Sequence, residues 1–183
     1  MLKLTTARFL FSILTQKIIL NRLLYLITLF FALTACSPNA PVQTTGQAYL
    51  QGEWQQDSVA GQQKLLTYSL YHFTFTCDSF YVQQQTRSKV NYGADTCMNR
   101  GQWTEYMKGS YEQRHDTLKL SGFFCDTHYK IKNEGGCFRS GVYEEDFKVS
   151  RKNDLLLQMQ NTTDVVPFTL RLIKKLDCHP QHL

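Results

Sequence analysis

Side chains able to do chemistry are few and scattered along this chain. Six cysteines, Cys36, Cys77, Cys97, Cys125, Cys137 and Cys178, could be acylated, oxidised or metallated, but no Cys-x-x-Cys occurs, so a zinc site is not expected. Cys178-His179-Pro180-Gln181-His182 brings a thiol and two imidazoles close in sequence, yet a metal needs further ligands in a fixed geometry, so no metal is assigned. His115-Asp116 resembles half of a catalytic triad, but adjacent residues in a turn point apart and no Ser sits in a Gly-x-Ser-x-Gly elbow. Glu145 is the most suggestive carboxylate. It shares strand parity with Tyr143, Phe147 and Val149, so it faces inward if they do. A buried carboxylate needs a partner or a raised pKa, and Arg139, on the same parity, is the nearest candidate. Glu144-Glu145-Asp146 also fits a solvated face. Nothing converges on a nucleophile, base or cofactor, so no enzyme and no cofactor are expected.

Cys36 stands in a different context. Residues 1–35 carry Lys3, Arg8, Lys17 and Arg22 and no Asp or Glu, a basic region ahead of the apolar run that begins at Leu23. Leu23 to Ala35 is about 13 apolar or small residues, short of the ~20 that a spanning helix needs. Leu33-Thr34-Ala35-Cys36 then resembles the lipobox of bacterial lipoproteins. The resemblance implies cleavage before Cys36, acylation of its thiol and amine, and anchoring to the cell envelope. Ser37, and the lack of an acidic run after Cys36, resemble outer-membrane sorting towards the periplasm.

Removing the leader alters the charge argument. Four of the 20 Lys+Arg belong to it, leaving 16 against 15 Asp+Glu, so the formal net charge of +5 falls to +1. With no Lys/Arg stripe interleaved with aromatics, nucleic acid is not an expected partner. The remaining length suits one domain with a real core. Residues 36–48, rich in Pro, Thr, Gln and Gly, are expected to be a flexible tether, residues 49–178 the folded domain and residues 179–183 a polar tail.

An exported domain favours disulfides, and five cysteines besides Cys36 leave one over. Cys125 and Cys137 bracket a short polar loop, Asp126 to Gly136, and are expected to pair. Cys77 with Cys97 is the second expected bridge, with Cys178 either unpaired or an alternative partner.

Hydrophobic alternation supplies the elements that would position these groups. Leu50 to Trp54 opens the first strand. Leu65 to Thr76 follows, with Tyr71, Phe73 and Phe75 on one face; Leu66, Tyr68 and Leu70 lie on the other parity, which predicts a bulge near Leu70. Further strands are expected at Phe80–Thr86, from Trp103 through Tyr111, at Leu118–Phe124, Gly141–Val149, Leu155–Met159 and Phe168–Leu172, separated by turn residues. Ser88 to Arg100 reads as a loop. No long 3.6-residue period appears. The pattern is an all-β antiparallel meander.

Gly52-Glu53-Trp54 on the first strand, with Gly109-Ser110-Tyr111 and Asp116-Thr117-Leu118-Lys119-Leu120 in the middle, resembles lipocalin-like bacterial domains over residues 49–175. The motif Gly-x-Trp repeats at Gly101-Gln102-Trp103. The resemblance implies an up-and-down β-barrel holding one small apolar or amphiphilic ligand, with Trp54, Phe73, Tyr111, Tyr143 and Glu145 as the expected lining. The alternative is an interaction or inhibitor module, similar in plan to small β-barrel lysozyme-inhibitor lipoproteins, acting on an envelope protein through the loops Ser88–Arg100 and Asp126–Gly136. The chain lacks the Gly-Ser-Ser-x-Met-Pro-x-Lys-x-Asn signature of helical fumarate hydratases and the size of their iron–sulfur counterparts, so that activity is not expected.

Overall fold

The computed structural model describes residues 21–22, 43–90, 95–132 and 137–180. The expected signal peptide (apart from the helical residues 21–22), Cys36 and the first half of the tether lie outside the described residues. Every strand belongs to one compact unit, Pro41–His182. Among the described residues no helix is long and apolar enough to cross a membrane.

Eight antiparallel strands form an up-and-down meander: β1 (Gly52–Gln56), β2 (Thr67–Thr76), β3 (Ser79–Ser88), β4 (Gln102–Arg114), β5 (Thr117–Cys125), β6 (Val142–Asn153), β7 (Leu156–Asn161) and β8 (Phe168–Lys175). Each pairs with its neighbours in sequence, and β1 pairs with both β2 and β8, which closes the barrel. Closure gives every strand a neighbour on each side, although the start of β2, Thr67–Tyr71, runs on beyond its pairing with β1.

Side-chain alternation fills the centre. Trp54, Phe73, Phe75, Phe80, Phe147, Leu157, Met159 and Leu170 are all fully buried. Each contributes about 1.5–3 kcal/mol by leaving water. An eight-stranded barrel is just wide enough for such side chains to pack. Gly109 on β4 faces Gly122 on β5 because the strands approach too closely for anything larger. A Cβ on Gly109 would stand 2.1 Å from the Ser121 carbonyl oxygen.

The two ends differ. At one end the hairpins are tight, turning at Cys77-Asp78, His115-Asp116 and Asp154-Leu155. Cys77 and His115 take positive φ there. The other end carries the long β1–β2, β3–β4, β5–β6 and β7–β8 connections. It forms the mouth.

The second half of the expected tether is not free. Thr44 donates through its amide (2.7 Å) and hydroxyl (3.0 Å) to Asp78 Oδ2, and the Gln47 amide donates to the Tyr111 hydroxyl at 2.9 Å. The Gln51 carboxamide accepts from the Cys77 amide and donates to its carbonyl, while the Tyr111 hydroxyl also donates to that carbonyl at 2.7 Å. These bonds meet backbone groups that a tight turn over an apolar core leaves without partners, so residues 43–50 plug the closed end.

Two expected bridges are corrected. Cys77 pairs with Cys178, and Cys97 with Cys137; the buried Cys125 is free. Cys125 follows Phe124, whose side chain faces the core, so its own side chain lies on the outer side of β5, where the 126–132 turn folds back on it through the Cys125–Ile131 bridge. Cys137 instead reaches the neighbouring β3–β4 connection along the rim of the mouth. The bulge near Leu70 is absent, since β2 runs in unbroken register with β3 from Thr67 to Thr76.

Candidate functional site

Because β2 has no bulge, Thr67, Ser69 and Tyr71 continue the inward parity of Phe73 and Phe75. On β3 the inward residues at the same level are Gln84, Thr86 and Ser88, and on β4 they are Trp103 and Glu105. Polar side chains therefore replace the core as the barrel approaches its mouth. They bond to one another across the strands: Thr67 Oγ1 to Ser88 Oγ and Ser69 Oγ to Thr86 Oγ1, both at 2.8 Å, and Gln84 Nε2 to Ser69 Oγ at 3.1 Å.

A strap, Cys137-Phe138-Arg139, lies against this wall. Cys137 is bridged to Cys97, the Phe138 ring stacks on Trp103 with centroids 4.9 Å apart, and Arg139 reaches Glu105 and Gln84. Lys132 Nζ donates to the carbonyls of Cys137 and Arg139. Phe138 takes φ 65°, a left-handed backbone costing on the order of 1–3 kcal/mol, which the surrounding contacts maintain. Trp103 Nε1 is buried and has no hydrogen-bond partner among the described residues.

Beside the strap the mouth opens into a cleft of about 680 Å³, between the β1–β2 connection, the start of β2 and the β7–β8 connection. Tyr71 and Phe168 form its floor, stacked at 5.3 Å, while Leu65, Val165, Val166 and Pro167 form apolar walls. Val165 is 89% exposed and Val166 62%, an apolar lip beside a concavity large enough for a small organic ligand. A depression of about 720 Å³ at 153–156, Arg171 and Leu172 has only a few lining residues and lies on the outer surface.

The electrostatics of the cleft are one-sided. Among the described residues its one lining cation, Arg171, is held by Asp57 through two bonds of 2.8 and 3.0 Å. The Asp164 carboxylate has no hydrogen bond or ion pair among the described residues. Deeper in, Glu145 is half-buried and accepts from Asn161 Nδ2, again with no cation paired to it among the described residues. Desolvation, reinforced by the nearby Glu145 carboxylate, pushes the Tyr71 phenol up to about 12 and holds Tyr143 well above its ordinary range.

The expected lining is largely relocated. Trp54 (1% exposed) and Phe73 (0%) are packed core, and the Tyr111 hydroxyl belongs to the closed-end plug, so none of the three meets a ligand at the mouth. Tyr143 is buried against Phe80 and Phe124. Glu145 does lie on the inward parity, but its partner is Asn161; the Arg139 guanidinium goes to Glu105. Tyr71, Phe168, Asp164 and the Arg139–Glu105 pair were not expected as a site, although small polar residues on the inward parity of three adjacent strands mark this end. Cys178 is oxidised, and among the described residues no three His, Cys, Asp or Glu cluster as metal ligands.

Comparison with family models, curated proteins and solved structures finds no match.

Proposed function

We propose that this chain is a lipid-anchored lipoprotein of the bacterial cell envelope, acylated at Cys36 and facing the periplasm from the outer membrane, whose lipocalin-like barrel binds a small amphiphilic molecule at its mouth. The observation that carries the reading is the cleft of about 680 Å³, where exposed valines and a stacked Tyr71–Phe168 floor adjoin polar, inward-facing groups. An apolar body with a few placed polar atoms would satisfy both kinds of wall. The filled core restricts the ligand to the mouth. The reading is of binding rather than catalysis, since among the described residues no nucleophile is paired with a base there.

Cys36→Ser is expected to abolish incorporation of labelled palmitate while leaving the barrel folded. Native mass spectrometry of the wild-type protein taken from membranes should reveal a bound small molecule that Val165→Asn, which makes the apolar lip polar without adding charge, releases. Label retained on the Cys36→Ser variant would overturn the anchor, and a bare protein mass would count against the ligand.

A second reading has its own support. The Cys97–Cys137 bridge joins the two loops expected to act in an interaction or inhibitor module, and a stapled loop pair makes a rigid contact surface. Recovery of a stoichiometric envelope protein by crosslinking, with an empty cleft, would favour it.

A further inference from the structure

Building on the reading of the mouth as an amphiphile site, we infer that the ligand carries a cationic nitrogen, an alkylammonium or quaternary ammonium group, seated over Tyr71 and Phe168 with Glu145 and Asp164 as its counter-charges.

Three observations lead to this class. First, the fixed charges cancel except for two. Arg171 is neutralised by Asp57 on the cleft wall, and Arg139 by Glu105 behind it, whereas Glu145 and Asp164 have no cationic partner among the described residues. A half-buried carboxylate without a counter-charge forgoes much of its hydration, and an incoming cation restores that loss. An anionic headgroup would meet the same two charges as repulsion.

Second, the floor suits a cation. Tyr71 stacks on Phe168 (5.3 Å) and Phe73 (5.5 Å), and Phe147 meets Phe168 edge-on at 6.2 Å. Aromatic faces attract an ammonium through the ring quadrupole, and desolvation strengthens the attraction. A quaternary ammonium needs no hydrogen-bond acceptor. That matches a floor made of rings.

Third, the walls bound the rest of the molecule. Leu65, Val165 and Val166 line the outward side of the cleft, so a short alkyl or aryl body would lie along them with the charged end inward. Burial first, and the Glu145 and Asp164 carboxylates after it, favour protonation of the Tyr71 phenol, while the Arg139 guanidinium, itself paired with Glu105, opposes them.

The test uses the oxidised full-length chain held in lipid nanodiscs, with binding read from the methyl resonances of Val165 and Val166. The probes share one chain length: octyltrimethylammonium, octanol and octanoate, each below its micellar concentration. The ammonium is expected to bind at least about tenfold more tightly than octanoate, with octanol between them. Glu145→Gln, which keeps an acceptor for Asn161, and Asp164→Asn should together bring the three probes within about threefold. Equal affinity for all three probes, or an ammonium preference that survives both substitutions, would overturn the cation assignment and leave the amphiphile site standing. No methyl response to any probe would overturn both.

Discussion

Arg139 clasps Glu105 through two parallel bonds, Nε to Oε1 at 3.0 Å and Nη2 to Oε2 at 2.9 Å, on a carboxylate whose side chain is only 10% exposed. The Arg139 amide adds a third donor to Oε1 at 3.2 Å, and the guanidinium lies 4.8 Å from the Phe124 ring centroid. The pair joins a loop to the inner wall. Removing Arg139 strands a shielded charge, so Arg139→Ala is expected to cost about 1–3 kcal/mol in urea unfolding. In the Glu105→Gln background the same change should cost clearly less. Additive effects in that double-mutant cycle would mean that the contact couples nothing.

The closed end depends on one phenol. Tyr111→Phe removes a donor to the Cys77 carbonyl and an acceptor for Gln47 and Gln51, and is expected to destabilise by about 1–3 kcal/mol. Exchange of the Gln47 amide should accelerate with it. Gly46→Ala should have the same signature by another route, since Gly46 has φ +58° and a Cβ there would stand 1.9 Å from the Cys77 carbonyl oxygen. An unchanged Gln47 exchange rate in both variants would show that the plug does not rest on these contacts.

Peptide mapping without reduction should recover Cys77 linked to Cys178 and Cys97 linked to Cys137. Cys125 should react with iodoacetamide only after unfolding, because burial both shields its thiol and raises its pKa. By loop-closure entropy, losing the 101-residue connection costs about 5 kcal/mol and losing the 40-residue one about 4 kcal/mol, whereas Cys125→Ser should cost far less. Rapid alkylation of Cys125 in the native protein would contradict its burial, and a peptide linking Cys125 to Cys137 would contradict the pairing.

Alkali should unfold the domain through its tyrosines. The Tyr71 phenol, raised to about 12 in the folded state, keeps a proton that the unfolded chain releases near pH ~10. Stability from that proton is complete below about pH 10 and is lost as pH climbs towards 12. Tyr71→Phe, which has nothing to ionise, should therefore retain on the order of 2 kcal/mol more than wild type across that window, with no such gain at neutral pH. Denaturant midpoints against pH would decide it. Parallel alkaline limbs in the two proteins would refute the assignment.

Much of the fold was legible in the sequence because alternation is local. Phe73 and Phe75, Leu118 and Leu120, and Leu157 and Met159 declare their faces from spacing alone, and turn residues between the runs leave a meander as the simplest arrangement. The site was harder to read. Leu66, Tyr68 and Leu70 suggested an inward face that required a bulge, yet they lie outside, and the real inward row there is Thr67, Ser69 and Tyr71. Apolar character misleads at a rim where the outer surface also carries large side chains. The disulfides were obscured for a related reason: Cys125 and Cys137 are close in sequence, but the decisive distance is between the neighbouring β3–β4 and β5–β6 connections, which the β4–β5 pairing sets side by side on the rim. Glu145 could be placed inward by parity, while its partner Asn161 comes from the adjacent strand β7, and only register brings the two together.

The Cys77–Cys178 bridge also determines how the domain bears tension. A pull applied between Gln43 and His179 travels through the closed-end plug, β1 and β2, then crosses directly from Cys77 to Cys178. Strands β3 to β8 lie inside that covalent loop and carry none of the load along the backbone. Stretching can lengthen the chain only up to Cys77, so extension would peel β1 away from β8 and β2 and draw out the cleft wall that the β1–β2 connection and the start of β2 supply, while the strap stays outside the path of the force.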